Sequence, residues 1–494
     1  MLARISQRQF IFFLLFYYFV LFLCRILSPE CLTPDEAEQM VHAQRLSWGY
    51  GPQPPLYTWI QILFFKILGA SVAAHFALKH LILFLICFFL YKIVNHITAK
   101  HEVSCAAVLS LMLLPAFSWD TQIIYTHSAL VSLLWLATIY FFIILLDRKT
   151  VVDYIILSFC ITLGILSKYN YIIFISALIL AASTLPQFRK TLSTPKTILL
   201  FALPVLLLIP HLLWCFNNQE LLFLSLGKAH MGTGGSWLNS VFLGLTSLFS
   251  SFIFSAILLI LFFLPFIIKE LFGTASNSVP VPREYLKLIL RAVFASLIIF
   301  AIIIIFSEIT HIKNRWILPA LLCLPILFVC RFYDRFSMKA KRSLSIISLI
   351  IFIAVPSVFL ARPHLDSIFS PSKPEKFNFP YKTLAKKIKE NGFSDGLIIV
   401  MDRWVGGNIK RYFPNNNISM SNTPVGEKWN TNEPWLILWI DSRRDGTVFE
   451  LISRKRGIKS SALHPVTLQA PYKFHPENIA ANLKMLIIDP EIVR

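Results

Sequence analysis

The chain has 494 residues, of which 56% are hydrophobic and 15% are charged. Soluble globular domains carry about a quarter charged residues, so this composition excludes that class and predicts a polytopic α-helical membrane protein. A formal net charge of +20 is also typical of proteins that bind nucleic acids. The chain has no basic arm with interleaved aromatic residues, however, and we predict no nucleic-acid partner.

About eleven apolar segments are long enough to cross a bilayer, which takes roughly 20 helical residues. They lie at 10–27, 75–94, 103–118, 126–146, 152–167, 170–185, 197–215, 238–268, 286–306, 314–331 and 343–360. The first segment lacks a small-residue cleavage site and is predicted to be a retained span rather than a signal peptide. The segment 238–268 is too long for one upright helix, which predicts a tilted helix or an interfacial start.

The connections between these segments form two chemically distinct sets. One set is strongly basic and comprises 92–100, 148–149, 189–196, 269–287 and 331–342. Alternation places all of these on one side, which the positive-inside rule identifies as the cytoplasm. The other set collects unusual polar residues, at 28–71, 119–127, 167–170, 211–236 and 307–315. We therefore predict a functional site on the non-cytoplasmic face.

Two acids, Asp35 and Glu36, stand near the start of the first external connection. Residues 33–49 have the pattern of a helix too short and polar to span, which predicts a helix on the membrane surface. A Pro-rich break follows at 52–55, and the pattern of residues 56–69 predicts a second interfacial helix. Thr33 and Glu36 have capping-box spacing, which gives Glu36 a structural role. The preference for acids at a helix N-terminus is the structural alternative for Asp35. It does not exclude catalysis, and Asp35 is the stronger candidate for a catalytic base.

The composition changes after Leu360 to that of a soluble domain. An amphipathic helix and several buried strands are predicted at 381–391, 396–402, 435–440 and 485–488. We therefore divide the chain into a transmembrane catalytic domain, 1–360, with interfacial helices at 33–69, and a small α/β domain, 361–494, outside the cytoplasm. Gly406-Gly407 follows a predicted strand but lacks a full GxGxxG pattern, so nucleotide binding is not favoured.

The external motifs occur in a characteristic order. They are Asp35-Glu36-Ala37, Gly49-Tyr50, Gln53-Pro54-Pro55-Leu56-Tyr57, Tyr125-Thr126-His127-Ser128, Ser167-Lys168-Tyr169-Asn170, Pro210-His211-Leu212-Leu213-Trp214 and Lys313-Asn314-Arg315-Trp316. With these motifs the chain resembles the GT-C glycosyltransferases that use lipid-linked sugars, a group that includes protein mannosyltransferases and lipid A aminoarabinose transferases. The motifs around His127 and Lys168 most resemble those of bacterial galacturonosyltransferases that modify lipopolysaccharide. The resemblance covers residues 10–360 and extends more loosely into the C-terminal domain.

This resemblance implies an inverting sugar transfer. The donor is a monosaccharide, galacturonic acid in that branch, carried on polyprenyl phosphate. The acceptor is a hydroxyl of lipid A, lipopolysaccharide core or another glycan or protein. Asp35 is the implied general base, with Glu36 as the second catalytic candidate. The resemblance also implies a multi-pass protein of the bacterial inner membrane, with its active site and C-terminal domain in the periplasm. No motif specifies an oligomeric state.

Substrate binding is predicted to involve polar residues of the external face, because a leaving phosphate requires cations or hydrogen-bond donors. The candidates are Gln53, Tyr57, His127, Lys168, Tyr169, His211, Lys228, His230, Lys313 and Arg315. Solvated surface charge is the alternative for the cations among them. For Lys168, at the end of a span, that alternative is a side chain that snorkels to the interface.

The use of a divalent metal is left open by the sequence, and no other cofactor is implied. Relatives in the aminoarabinose branch carry an acid and a lysine before the Pro of the second motif, where this chain reads Gly51-Pro52-Gln53-Pro54. Residues that could join Asp35 around a metal are His127, His211, His230, Glu308 and His311. Their spacing is not typical of a metal site, and ordinary polar residues at helix ends are the alternative.

A lipid or sugar transporter or flippase is the main alternative function, and a structural or sensory membrane protein is the third. A transporter is expected to carry ionisable residues at mid-depth and broken, repeated helices. Most predicted spans here have uncharged interiors, and no internal repeat is evident. The pattern therefore favours the enzyme.

Overall fold

A computed structural model describes residues 5–28, 31–223, 235–272, 283–420, 432–440, 444–456 and 463–489. The chain divides into two compact units. The first comprises Met1–Val20, Ser47–Tyr57 and Lys79–Val355, and the second comprises Leu21–Leu46, Thr58–Leu78 and Pro356–Arg494. The second unit thus combines the C-terminal region with the acidic segment of the first external connection.

Long apolar helices dominate the chain up to residue 369. In chain order the helices are α1 (Gln7–Leu27), α2 (Pro34–His42), α3 (Leu56–Leu68), α4 (Val72–Thr98), α5 (His101–Leu111), α6 (Thr121–Ile123), α7 (His127–Arg148), α8 (Val151–Ser167), α9 (Tyr171–Ser183), α10 (Pro186–Leu192), α11 (Leu199–Asn217), α12 (Gln219–Phe223), α13 (Trp237–Phe272), α14 (Arg283–Ser307), α15 (Asn314–Leu321), α16 (Cys323–Phe332) and α17 (Met338–Phe369). Each predicted apolar segment lies mainly in a helix. This confirms the predicted class, a polytopic helical membrane protein.

Some of these helices depart from a simple straight span. Among the described residues, 8 helices are long and apolar enough to cross a membrane, or up to 10 if each bent pair counts as one span. One pair, His101–Leu111 with Ala116–Ile123, bends by 72°. The segment predicted at 238–268 is the single 36-residue helix α13. At about 1.5 Å per residue it exceeds the thickness of a bilayer's hydrocarbon core, so an upright α13 would extend beyond it.

The C-terminal part of the second unit is built on a five-stranded sheet with strand order β2-β1-β3-β5-β4. Its elements are α18 (Tyr381–Glu390), β1 (Leu397–Val400), α19 (Arg403–Lys410), β2 (Ile418–Met420), β3 (Trp435–Trp439), α20 (Asp445–Arg456), β4 (Val466–Pro471) and β5 (Ala480–Ile488). β1 pairs in parallel with β2 and β3, and β5 pairs antiparallel with β3 and β4. The predicted α/β class of this region is confirmed. The sequence patterns missed β2, β4 and α20, because these elements are short or only partly buried.

Buried side chains cover both faces of the sheet, which explains why the sequences of β1 and β3 are continuously apolar. Ile399 and Ile437 belong to one buried cluster, together with Val448 of α20. Ile398 and Leu436 belong to the other cluster, which also contains residues of α18 and α19.

Helix α2 contributes to that second cluster through Ala37, Met40 and Val41. The sequence pattern of these apolar side chains predicts a helix on the membrane surface. They are buried within the α/β core instead, and α2 ends at His42 rather than continuing to residue 49. The segment that carries Asp35 is therefore part of this core.

Candidate active site

The two adjacent acids of α2 have different surroundings. Glu36 is fully buried, and its Oε2 accepts a hydrogen bond from the backbone N–H of Thr33 at 2.9 Å. The same oxygen lies 3.4 Å from Nη2 of Arg25. The predicted capping contact of Glu36 is thus present. The side chain of Asp35 is 18% exposed, so this carboxylate is the more accessible of the two.

Arg403, at the start of α19, contacts two carboxylates of α2. Its Nη1 donates to Oε2 of Glu38 at 2.7 Å, and its Nη2 lies 3.5 Å from Oδ1 of Asp35. The two acids face the same side of α2 because positions i and i+3 are neighbours on a helix. Arg403 was not among the predicted site residues, since nothing in the local sequence pattern connects it with Glu38, 365 residues away.

Neighbouring opposite charges shift the pKa values of Glu38 and Arg403. Burial by itself would raise the pKa of Glu38, but the hydrogen bond and charge of His42 and the charge of Arg403 hold that pKa well below its ordinary range. Burial by itself would lower the pKa of Arg403, but Glu38 and Asp35 together raise it. Arg403 and Glu38 are therefore both charged near neutral pH.

Close packing of α2 and α19 makes these ion pairs geometrically well defined. A Cβ atom at Gly407 would overlap the backbone of Ala37, so only glycine permits the observed approach. Asn408 accepts from the N–H of Leu32 at 2.8 Å through Oδ1, and Nε1 of Trp404 donates to the carbonyl of Leu32 at 2.7 Å. The chain that enters α2 is thus held by side chains of α19.

In the first unit, two lysines from different elements meet the short segment 121–128. Lys168, which follows α8, donates from Nζ to Oγ of Ser128 at 2.6 Å. Lys79 of α4 donates from Nζ to the carbonyl of Gln122 at 2.8 Å, and it is only 1% exposed. Lysines are rarely buried to this degree. Lys79 was missed because it lies inside a predicted span, although a lysine in such a place is itself a signal of function.

Several other predicted binding residues lie around the same loops of the first unit. The ring centroids of Tyr57 and His127 are 5.2 Å apart. Tyr169 lies next to His211, with 3.3 Å between its hydroxyl oxygen and Nε2. Nδ1 of His211 is 2.6 Å from the carbonyl of Trp48, which can only accept, so Nδ1 carries a proton.

The remaining predicted residues are positioned as follows. Lys313 immediately precedes α15, and Arg315 is in its first turn. Asn170, beside Lys168, donates to the carbonyl of Trp316 at 3.1 Å, which connects the start of α15 with the Lys168 loop. The backbone of Gln53 pairs with that of Tyr50 in a tight turn. Lys228 and His230 lie outside the described residues.

A metal centre is not formed by the residues described. Within that part of the chain, no group of three or more His, Cys, Asp or Glu side chains is arranged to hold a metal ion. His230, one of the predicted ligands, is outside it. The use of a divalent metal stays a prediction.

Comparisons with known proteins agree on one group of enzymes. Residues 52–214 match the family described as dolichyl-phosphate-mannose-protein mannosyltransferase. The chain is 28% identical to lipopolysaccharide core galacturonosyltransferase RgtB of Rhizobium johnstonii, over 87% of both chains. It is 26% identical to RgtA, a lipopolysaccharide core galacturonosyltransferase of the same organism, over 92% of this chain and 93% of that one.

Solved structures share the fold. ArnT from Cupriavidus metallidurans, bound to undecaprenyl phosphate, superposes with a TM-score of 0.63 at 10% identity, over 96% of this chain and 97% of that chain. The apo state of the same protein gives a TM-score of 0.61 at 12% identity, over 95% and 96%. The likeness therefore includes the C-terminal α/β region as well as the membrane helices.

Proposed function

Since the chain belongs to the GT-C membrane glycosyltransferases, we propose that it transfers galacturonic acid from polyprenyl phosphate to a hydroxyl of the lipopolysaccharide core. The observation that carries this proposal is the pair of relatives named lipopolysaccharide core galacturonosyltransferases, which align over nearly their whole length. The reaction takes place on the periplasmic side of the inner membrane, as the distribution of basic connections favours.

Asp35 acts as the general base in this proposal. Its carboxylate takes the proton of the acceptor hydroxyl while the acceptor oxygen forms a bond to the anomeric carbon of the sugar. The bond from that carbon to the phosphate oxygen breaks, and polyprenyl phosphate leaves with the electron pair. The contact with Arg403 supports this role, because a neighbouring cation keeps a carboxylate ionised. Glu36 has a structural role at the start of α2.

Lys168 and Lys79 stabilise the phosphate as it leaves. Negative charge grows on the phosphate in the transition state, and preorganised cations in a site of low dielectric constant stabilise it strongly. Two ammonium groups that meet the same segment, 121–128, supply such an arrangement. Lys79 also offers a cation in a chain whose Gln53-Pro54 motif lacks the lysine found in the aminoarabinose branch.

Replacing either lysine with methionine is expected to lower kcat by about 100-fold, with a smaller change in KM, because each cation interacts most strongly with the transition state. Methionine removes the charge and keeps an unbranched apolar side chain, which suits a buried position. The rates are measured on purified protein with a polyprenyl-phosphoryl sugar.

Lys92→Met is the matched control for Lys79→Met. Lys92 lies on the same helix, about 20 Å further along it, and its Nζ lies over the ring of Tyr140 at 5.9 Å from the centroid. Its variant is expected to retain the wild-type kcat. An unchanged kcat in both Lys79→Met and Lys168→Met would contradict the assigned roles.

The function itself is tested by mass spectrometry of lipopolysaccharide from cells with and without this protein. We expect the core of deficient cells to lose mass equal to one or more hexuronic acid residues. Purified protein is then expected to restore that mass in vitro from polyprenyl-phosphoryl galacturonic acid. Loss of a pentosamine or a hexose instead would exclude the galacturonic acid donor, and movement of lipid across sealed vesicles without sugar transfer would favour a flippase.

A further inference from the structure

We propose that Arg403 is a positioning residue for Asp35, which makes the C-terminal α/β region part of the catalytic apparatus. The inference rests on the proposed function, because it assumes that Asp35 is the base. Arg403 acts through Asp35, by orienting its carboxylate and by setting its charge.

The position of Arg403 is determined by its own helix. Asp402 caps α19 by accepting from the N–H of Trp404 at 2.7 Å. Trp404 and Asn408 bind the backbone of Leu32, just before α2, and Gly407 allows α19 to touch Ala37. The guanidinium therefore emerges from a rigid contact between two helices. Its planar fork can hold two carboxylates in defined directions, which a flexible lysine ammonium does less well.

The guanidinium of Arg403 contacts both Asp35 and Glu38, and this affects the basicity of Asp35. A cation beside Asp35 keeps the carboxylate ionised and available, but it also weakens the carboxylate as a base. Glu38 shares the same guanidinium at 2.7 Å and so neutralises part of its charge. The balance between Arg403 and Glu38 should therefore set the basicity of Asp35.

Three other charged groups on or next to α2 and α19 have contacts of their own. His42 lies on α2 and pairs with Glu38, with 3.7 Å between Nε2 and Oε1. Arg25 pairs with the buried Glu36. Asp402 is committed to the cap of α19 and carries the wrong sign.

This role also explains Gly406-Gly407, which resembles part of a nucleotide-binding motif. A Cβ at Gly406 would lie 2.8 Å from Cγ2 of Val400 and 3.2 Å from Cγ2 of Val41. Both glycines thus face neighbouring protein, and Gly407 faces the helix that carries Asp35. The pair is used for close helix packing, which brings Arg403 to the acids.

The test is the pH dependence of kcat/KM in the full-length protein, purified in detergent, from about pH 2.5 to pH 8, a range that includes the ordinary pKa of an aspartate, about 3.9. Arg403→Gln removes the cation, which should raise the pKa of Asp35. The midpoint of the acid limb is therefore expected to shift to higher pH by about one unit. Glu38→Gln removes the competitor for Arg403, so the acid limb is expected to move down. Arg403→Lys keeps the charge without the fork and should retain the wild-type acid limb with a lower kcat.

Arg411→Gln is the matched control. Arg411 directly follows the same helix, about 12 Å along its axis from Arg403, and its side chain lies over the ring of Tyr412. This variant is expected to keep the wild-type profile. A purely structural contact would lower the rates of the Arg403 and Glu38 variants without moving their acid limbs in opposite directions, and that result would overturn the inference. Absence of transfer by the wild-type protein would instead overturn the proposed function, and this inference with it.

Discussion

Asp35→Asn is expected to lower the rate of sugar transfer by about 1,000-fold, the typical contribution of a general base. Asparagine has nearly the same shape as aspartate but cannot take the acceptor proton. The helix start remains intact, because the capping contact is made by Glu36 rather than Asp35. The variant should therefore fold and bind donor normally while failing in the chemical step. Single-turnover transfer from a polyprenyl-phosphoryl sugar measures that step directly.

A surface carboxylate provides the control for this experiment. Glu390 ends α18 and pairs only loosely with Lys386, with 3.7 Å between Oε1 and Nζ. Glu390→Gln makes the same chemical change at an exposed site and is expected to keep the wild-type rate. Transfer by Asp35→Asn at a rate close to that of Glu390→Gln would exclude Asp35 as the base.

Gly407→Ala is expected to destabilise the C-terminal α/β region by about 3 kcal/mol, the upper range for overpacking a core. The added Cβ would overlap the backbone of Ala37, which cannot turn aside as a flexible side chain would. Helices α2 and α19 must then separate, and Arg403 moves away from Asp35. Both the midpoint of thermal unfolding and the transfer rate should fall.

Gly446→Ala is the matched substitution in the same region. Gly446 lies in α20, and a Cβ there has no neighbour within 4 Å. Alanine favours a helix over glycine by about 1 kcal/mol, so this variant should be as stable as the wild type or slightly more so. Equal thermal midpoints for the two variants would show that the contact between α2 and α19 is looser than described.

These two experiments examine different properties of one region. Asp35→Asn removes a chemical group and leaves the packing unchanged, whereas Gly407→Ala leaves every polar group and changes the packing. If Asp35 depends on α19 for its orientation, both changes lower the rate, but only the second lowers the stability. The separation matters because a substitution can lower activity either by removing a chemical group or by destabilising the fold.

Much of the fold could be predicted from local patterns. The membrane helices follow from hydropathy over about twenty residues, and β1 and β3 follow from short apolar runs. The capping role of Glu36 follows from its spacing to Thr33. The boundaries of α2 were less well predicted, because its end at His42 depends on packing within the α/β core.

The candidate site was only partly predictable. Asp35, Lys168 and His127 stand in motifs that mark them at the level of sequence. Arg403 and Lys79 do not, because one begins a short helix that carries no distinctive motif and the other lies inside an apolar span. The roles proposed for them follow from the groups they contact, which are carboxylates of α2 for Arg403 and the segment 121–128 for Lys79.

The sequence by itself determined that this is a helical membrane protein with a C-terminal α/β region and a set of motifs in its predicted external connections. It could do so because hydropathy, strand patterns and capping depend on residues close together in the chain. Only the tertiary structure decided that α2 is packed into the α/β core, and that Arg403 lies beside Asp35. Ion pairs and close helix contacts depend on distances in space between segments hundreds of residues apart, and no local periodicity encodes those distances.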